Sequence, residues 1–344
     1  MTDLPRERAG LIAGGNWIVD HVKLIDRWPP QDSLANITGQ HSSNGGSPYN
    51  VLKNLARLGV TYPLEAIGLV GDDAGGRFIR EDCARHRIDG SRLRATPTAP
   101  TSYTDVMTEQ GSGRRTFFHC RGANATLGPE HFDFSRSRAR IFHLGYLLLL
   151  DRLDELRGVE TVAVEVFRAA RAAGLKTSAD VVSEISGRVA RVVRPTLPHL
   201  DYLFLNELEI AQLTGIETGR EGEVDRGAIA RAAGELIRGG VREWVIVHFP
   251  AAVLACGVRG EMLWQPSVQV PPEFIRGAAG AGDAFASGVL HGLHEGWPMA
   301  ESLRLGVSVA AASLAHPTCS EGVVSIAECR ALAERFGCRS LSPA

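Results

Sequence analysis

Short apolar runs alternate with helical periodicities along most of this chain. Leu11–Ala13 runs into Gly14-Gly15 and predicts a first strand and turn. Ser47 as N-cap and Pro48 at the first helical position then open a helix. Val51, Leu52, Leu55 and Leu58 fall on one face of it, and Gly59 ends it. Glu65–Val70 predicts a second strand, followed by the loop GDDAGG and a helix from about Arg77. Ile141–Leu144, Lys176–Ala179, Tyr202–Leu205 and Trp244–Val247 are further strand-like runs, separated by helix-like segments such as 159–173 and 226–238. Such alternation predicts an α/β protein with a mainly parallel central sheet and helices on both faces.

Two segments break this order. Residues of about 17–45 and 101–123 alternate apolar and polar positions around Gly and Asp turns. They predict antiparallel strands outside the parallel sheet, gathered into a small accessory sheet. With no internal repeat, low-complexity segment or dividing linker, residues 1–344 are expected to form one domain.

Composition narrows the function classes. A hydrophobic fraction of 44% and a charged fraction of 22% are those of an ordinary globular protein. The formal net charge of −2 gives no electrostatic reason to expect nucleic acid or an anionic membrane as partner. Six cysteines, at 83, 120, 256, 319, 329 and 338, form no CxxC pair, which fits a reducing compartment rather than a disulfide framework or a zinc site. No N-terminal apolar run reads as a signal peptide, and YLLLL at 146–150 is too short to cross a bilayer. The expectation is a soluble cytoplasmic chain.

The densest chemistry lies in GAAGAGDAFASG, residues 277–288. Phe285, Val289 and Leu293 recur every fourth residue, so a helix begins at or just before Asp283. The amides of Gly280, Ala281, Gly282 and Asp283 would then be unsatisfied donors at a positive dipole end, open to close approach because their side chains are small. An anion hole beside a carboxylate suits phosphoryl transfer: the amides neutralise charge on the phosphoryl group, and the carboxylate takes the acceptor's proton. The helix dipole is expected to keep Asp283 ionised at neutral pH. A glycine-rich turn packed against a neighbouring strand is the bland alternative. Other nucleotide motifs fit poorly, since no Gly-Lys pair exists for a Walker A loop and Phe285 stands where a dinucleotide fingerprint needs Gly or Ala.

GAAGAGDAFASG resembles the C-terminal signature of the ribokinase-like (PfkB) carbohydrate kinases, and the resemblance continues in order along nearly the whole chain. GGNWIVD (14–20), NGGSPYNVLKNLARLG (44–59), AIGLVGDDAGGRF (66–78) and FLNELE (204–209) resemble the family's other motifs. The resemblance implies a ribokinase-like fold that transfers phosphate from ATP, with Mg²⁺, to a sugar. Asp283 would be the general base, and Asn16, Asp20, Gly46 and Asn50 would line the sugar site. A polar turn for Asn16 and Asp20, and a solvated helix face for Asn50, are the alternatives. Glu209, with Asn206, is implied to hold the magnesium and phosphate water network, although Asn206 and Glu209 also spell a capping box that needs no ligand.

The accessory strands resemble the family's lid, which closes over the sugar, excludes water and often forms a homodimer contact. Arg121 would reach the substrate or a phosphate from that lid, or else be a solvated strand arginine. His291 and His294, three apart, read as a surface pair rather than a metal site. Two departures stand out. Gly277 replaces the family's usual first Asp, which argues against a potassium site, and His248, Pro250 and Ala252 stand where relatives carry Thr-x-Gly-x-x-Gly against the nucleotide. GNWIVD is similar to the opening of adenosine kinases, so a nucleoside is the alternative acceptor. A non-catalytic sugar or nucleoside sensor, and a dinucleotide oxidoreductase, are the readings from other classes.

Overall fold

Side chains buried on both faces mark the central strands, as a sheet covered by helices requires. Every residue of β1 (Leu11–Gly15) is buried. The computed structural model describes residues 8–111, 114–184, 186–220 and 223–341. β2 (Ile18–Ile25), β3 (Ile37–Gly45), β4 (Leu64–Gly71), β5 (Asp89–Thr96), β6 (Ser102–Glu109) and β7 (Arg115–Cys120) follow β1. Then come β8 (Ile141–Leu147), β9 (Lys176–Val181), β10 (Tyr202–Asn206), β11 (Trp244–Phe249), β12 (Ala252–Gly257) and β13 (Met262–Pro266).

Among the described residues, nine strands form the main sheet in the order β13-β12-β11-β10-β9-β8-β1-β4-β5. β11–β12 and β12–β13 pair antiparallel, and every other pair is parallel. The chain begins mid-sheet, builds outward through β4 and β5, and returns to place β8 on the other side of β1. That β1–β8 boundary is the topological switch point, where open α/β sheets form crevices beyond the strand carboxyl ends.

The principal helices are α1 (Ser47–Leu58), α2 (Ala74–Arg85), α3 (Ala163–Ala172), α4 (Glu207–Thr214), α5 (Arg226–Arg238), α6 (Ala281–His294), α7 (Met299–Ser313) and α8 (Ile326–Phe336). Alternate strand residues feed opposite cores. Leu203 and Leu205 join Phe142, Phe167 and Leu236 on one face, while Phe204 joins Tyr49, Leu55, Phe285 and Val309 on the other. α6 and α7 approach so closely that a Cβ at Gly288 would lie 2.8 Å from the Gly306 Cα. No helix among the described residues is long and apolar enough to cross a membrane.

The accessory sheet has the order β3-β2-β6-β7. β2–β3 and β6–β7 are antiparallel as expected, but the central pair β2–β6 is parallel. Both strands leave the carboxyl edge of the main sheet, β2 directly after β1 and β6 after β5, so they start out in the same direction. Local details differ too. Gly46, not Ser47, is the N-cap of α1, because the Ser47 hydroxyl is drawn instead to Asp180 at 2.6 Å. α2 starts at Ala74, three residues early, because Asp73 accepts from the Gly76 amide at 2.9 Å and caps it. α3 starts only at Ala163. β5, β12 and β13 went unanticipated: β5 is a polar edge strand with Leu93 its only buried residue, and β12 is buried throughout and shows no alternation.

Candidate active site

The carboxyl ends of five strands deliver polar groups to one crevice. Asn16 follows β1, Tyr146 lies near the end of β8, Asp180 near that of β9, Asn206 closes β10 and His248 lies near the end of β11. Helix α6 faces them with its N-terminus. Gly280 takes the left-handed conformation (φ 70°) that turns the chain into it, and a Cβ there would meet the Cys319 Cβ at 2.6 Å. Asp283 sits in the first turn, buried. Its Oδ2 accepts from Asn50 Nδ2 at 2.7 Å, and the Tyr146 hydroxyl donates to both carboxylate oxygens, at 2.9 and 2.7 Å. The Ala281 amide leans on the Ala278 carbonyl at 3.3 Å, whereas among the described residues those of Gly280, Gly282 and Asp283 have no acceptor. Unsatisfied amides at a dipole end form a ready anion site.

Burial decides the electrostatics. Asp283 is pushed up to about 7, first by loss of water and then by the charge of Asp180, against the hydrogen bonds from Asn50 and Tyr146. Loss of water at this depth thus works against the helix dipole expected to keep Asp283 ionised at neutral pH. Asp20 is also pushed up to about 7 by burial, with Thr104 and Cys319 pulling the other way and the Asp283 charge adding to the rise. Glu209 is raised to about 8 by burial, against its bonds to the Asn206 amide and Ser183, and His248 is lowered to about 4 by the same loss of water.

The anticipated residues divide. Asn50 is buried rather than on a solvated face, and it links Asp283 to Asn44, whose Nδ2 donates to Asn50 Oδ1 at 2.6 Å. The Asn16 amide is taken up by the backbone: its Oδ1 accepts from the Tyr146 amide and its Nδ2 donates to the Leu149 carbonyl at 3.2 Å. Gly46 (φ 83°) packs on the Asn16 backbone, while its neighbour Gly45 is the glycine that faces the Asp20 carboxylate. Arg121 ties the end of β7 to the segment after β8, at 2.9 Å from both the Leu148 carbonyl and Asp151. Asn206 and Glu209 form the capping box in full: the Asn206 side chain accepts from the Leu208 and Glu209 amides, and Glu209 Oε2 accepts from the Asn206 amide at 2.8 Å. His291 and His294 are not a surface pair. Both are buried against Tyr62, and His294 accepts from the Gly10 amide at 2.7 Å.

Sequence reasoning missed several groups at this end of the sheet. Tyr146 was visible only as part of an apolar run, and Asp180 carried no motif; their shared signal is position at a strand's carboxyl end. Asp180 Oδ2 accepts from Ser47, and Oδ1 is buried with no partner among the described residues. A Cβ at Gly145 would collide with that same oxygen. Arg115 and Arg276 left no signal at all. They line a cavity of about 90 Å³ beneath the accessory sheet, together with Asp20, Ser43 and Cys319. A second cavity, of about 430 Å³ and mostly apolar, is lined by His248, Pro250, Phe285 and Ala311. Ala278, Ala281 and Gly282 border the larger cavity, and Arg276 and Ala279 border the smaller, so one short segment walls both.

A loop of unsatisfied amides, set between a polar cavity and an apolar one at the switch point of an α/β sheet, defines a small-molecule phosphotransferase. The model of the pfkB family carbohydrate kinase matches residues 15–326, and the chain belongs to that family, whose members are ATP-dependent phosphotransferases acting on sugars. A ribokinase of Arabidopsis thaliana is 28% identical over 310 residues, covering 88% of this chain and 75% of that protein. The structure of Arabidopsis thaliana ribokinase complexed with ribose and ATP superposes with a TM-score of 0.77 at 21% identity, over 94% of this chain and 98% of that one. A Burkholderia thailandensis nucleoside kinase in complex with inosine gives 0.71 at 15% identity, over 96% and 100%. These likenesses to solved structures establish the ribokinase-like fold.

Proposed function

We propose that Asp283 removes the proton from a hydroxymethyl group held in the smaller cavity, while ATP, seated in the larger one, presents its γ-phosphoryl to the amides of Gly280–Asp283. The shared wall between the two cavities carries this reading. It sets the segment leading into the first turn of α6, which carries Asp283, between the two spaces, and a base raised to about 7 is poised near operating pH. Asp20 and Asn50 position the acceptor, Asp20 through its carboxylate and Asn50 by orienting Asp283. Tyr146 holds the hydrogen-bonding positions on Asp283 that the acceptor hydroxyl would take over. Gly46 and Asn16 serve by fixing the turn into α1 and the end of β8, and Arg121 by anchoring the accessory sheet.

The apolar walls of the larger cavity suit an adenine ring, with His248 against Gly282 at the phosphate end. Mg²⁺ would accompany the nucleotide and offset its phosphate charge. Asp180, whose Oδ1 has no partner among the described residues, and Glu209 are carboxylates near the ends of β9 and β10 that could hold its water shell. The accessory sheet is the lid of a single domain. Its exposed Trp28, Leu34, Ile37, Phe117 and Phe118 support a homodimer formed through it, and six free thiols suit a reducing cytoplasm.

A nucleoside acceptor is the second reading. Phe117 stands exposed on the side of β7 that carries Arg115, a surface on which a base can stack. ADP formation from Mg-ATP over a panel of pentoses, hexoses, sugar acids and nucleosides tests both. Turnover with phosphate on a primary hydroxyl is expected. Binding of a panel member without ADP formation would instead identify a sensor.

A further inference from the structure

We infer that the acceptor pocket contains an oxyanion subsite built by Arg115 and Arg276, so that the molecule phosphorylated is a sugar derivative bearing a carboxylate or a phosphate. The inference rests on the kinase reading, while the two arginines and their cavity exist whatever the reaction. Strand register places Arg115 opposite Thr108, which lies opposite Leu24, so the guanidinium leaves the same face of the accessory sheet as Asp20 and Val22. It turns inward over the segment that leads to α6. A Cβ at Gly277 would lie 2.5 Å from Arg115 Nη2 and 2.7 Å from the Pro317 Cα, so the backbone of residues 316–317 requires glycine here and the guanidinium packs directly on it. Arg276, next in the chain, lines the same cavity from the other side.

Neither guanidinium has a hydrogen-bond or ion-pair partner among the described residues. Arginines with a structural role in this chain do have one: Arg57 meets Glu321 at 3.0 Å, Arg92 meets Glu65, and Arg121 meets Asp151. Burial lowers the Arg115 pKa, the direction expected of a cation that loses water with no carboxylate beside it. Asp20 is the one carboxylate lining the cavity, and its partners are Thr104 and Cys319 rather than either arginine. The Ser43 hydroxyl on the same wall is buried and also has no partner among the described residues. The part-buried Arg115, the exposed Arg276 at the rim and the Ser43 hydroxyl thus surround about 90 Å³ with donors and a net positive charge that a neutral sugar would leave unbalanced. A carboxylate or phosphate completes them, since a guanidinium fork binds either through paired hydrogen bonds.

The test measures kcat/KM for ADP formation on two matched sets: D-ribose, D-ribonate and D-ribose 1-phosphate, and D-glucose, D-gluconate and D-glucose 1-phosphate. At least one anionic member is expected to exceed its neutral partner by on the order of 10- to 100-fold, the range for a hydrogen bond to a charged group. The carboxylate and phosphate arms tell the two sources apart. Arg115→Gln and, separately, the exposed Arg276→Gln should each cut the anion-to-neutral ratio at least about tenfold. Turnover that favours the neutral sugar in both sets, or a ratio unmoved by both variants, overturns the subsite and leaves the kinase standing. Should none of the six be turned over, thermal shift with D-gluconate and D-glucose 1-phosphate against sorbitol decides. Anion-specific stabilisation lost in Arg115→Gln keeps the subsite and removes the kinase reading; no stabilisation removes both.

Discussion

Replacing Asp283 by Asn should make the protein inactive and more stable together. The carboxyl group is pushed from an ordinary 3.8 to about 7, by burial first and by Asp180 second. A raised native pKa means that the folded state binds the proton more tightly than the unfolded state does. Stability therefore falls as pH rises through the interval from about 4 to about 7 and is flat above it. At ~1.4 kcal/mol per unit, the ionised carboxylate costs the fold up to about 4 kcal/mol at pH 8. An amide of the same shape can still meet Asn50 and Tyr146 without that cost. Asp283→Asn should thus gain up to about 4 kcal/mol at pH 8 and only about 2 kcal/mol at pH 5, where the native carboxyl is already protonated. Specific unfolding entropies put the gain at pH 8 at about 5 °C in Tm for a chain of this size. Differential scanning calorimetry at the two pH values, beside a coupled ADP assay, reads both halves. Loss of a general base should lower kcat by about 10²- to 10⁴-fold. A variant that melts below the parent at pH 8 would refute the desolvation argument, and one that keeps activity within tenfold would refute the base.

Two further predictions follow from neighbouring contacts. Tyr146→Phe removes a donor that favours the ionised form of Asp283, so the acidic limb of the kcat/KM profile, expected near pH 7, should move up by about one unit, with activity recovering at alkaline pH; an unmoved limb would show that Asp283 is not the titrating group. Asn206→Ala deletes the N-cap of α4 and leaves the Leu208 and Glu209 amides without their acceptor, so denaturant unfolding should show a loss of about 1 kcal/mol. No change in the unfolding midpoint would show that the cap contributes nothing to stability.

What could be read from the sequence, and what could not, divides along the range of the forces involved. The helix over residues 226–238, the helix start just before Asp283 and the capping box of Asn206 and Glu209 are local, fixed by periodicity and by donors within a turn of one another, and each appears where its pattern places it. Ser47 shows the limit. By local rules it is an N-cap, yet its hydroxyl serves Asp180, 133 residues away, and only tertiary packing shows that competition. The same holds for electrostatics: the dipole at Asp283 can be read locally, while the desolvation that opposes it comes from the whole crevice closing around the carboxylate. Asp20 and Asn50 were legible through motif, but Tyr146 and Asp180 depend on knowing that β8 and β9 lie beside β1. Gly277 joins the two levels. In sequence it is a missing carboxylate. In the fold it is the space through which Arg115, from a strand more than 150 residues earlier, reaches the wall beside the anion site. A position that looks like a loss of chemistry is thus where a cation packs beside the pocket, and in the proposed subsite a residue that no motif contains would select the charge of the acceptor.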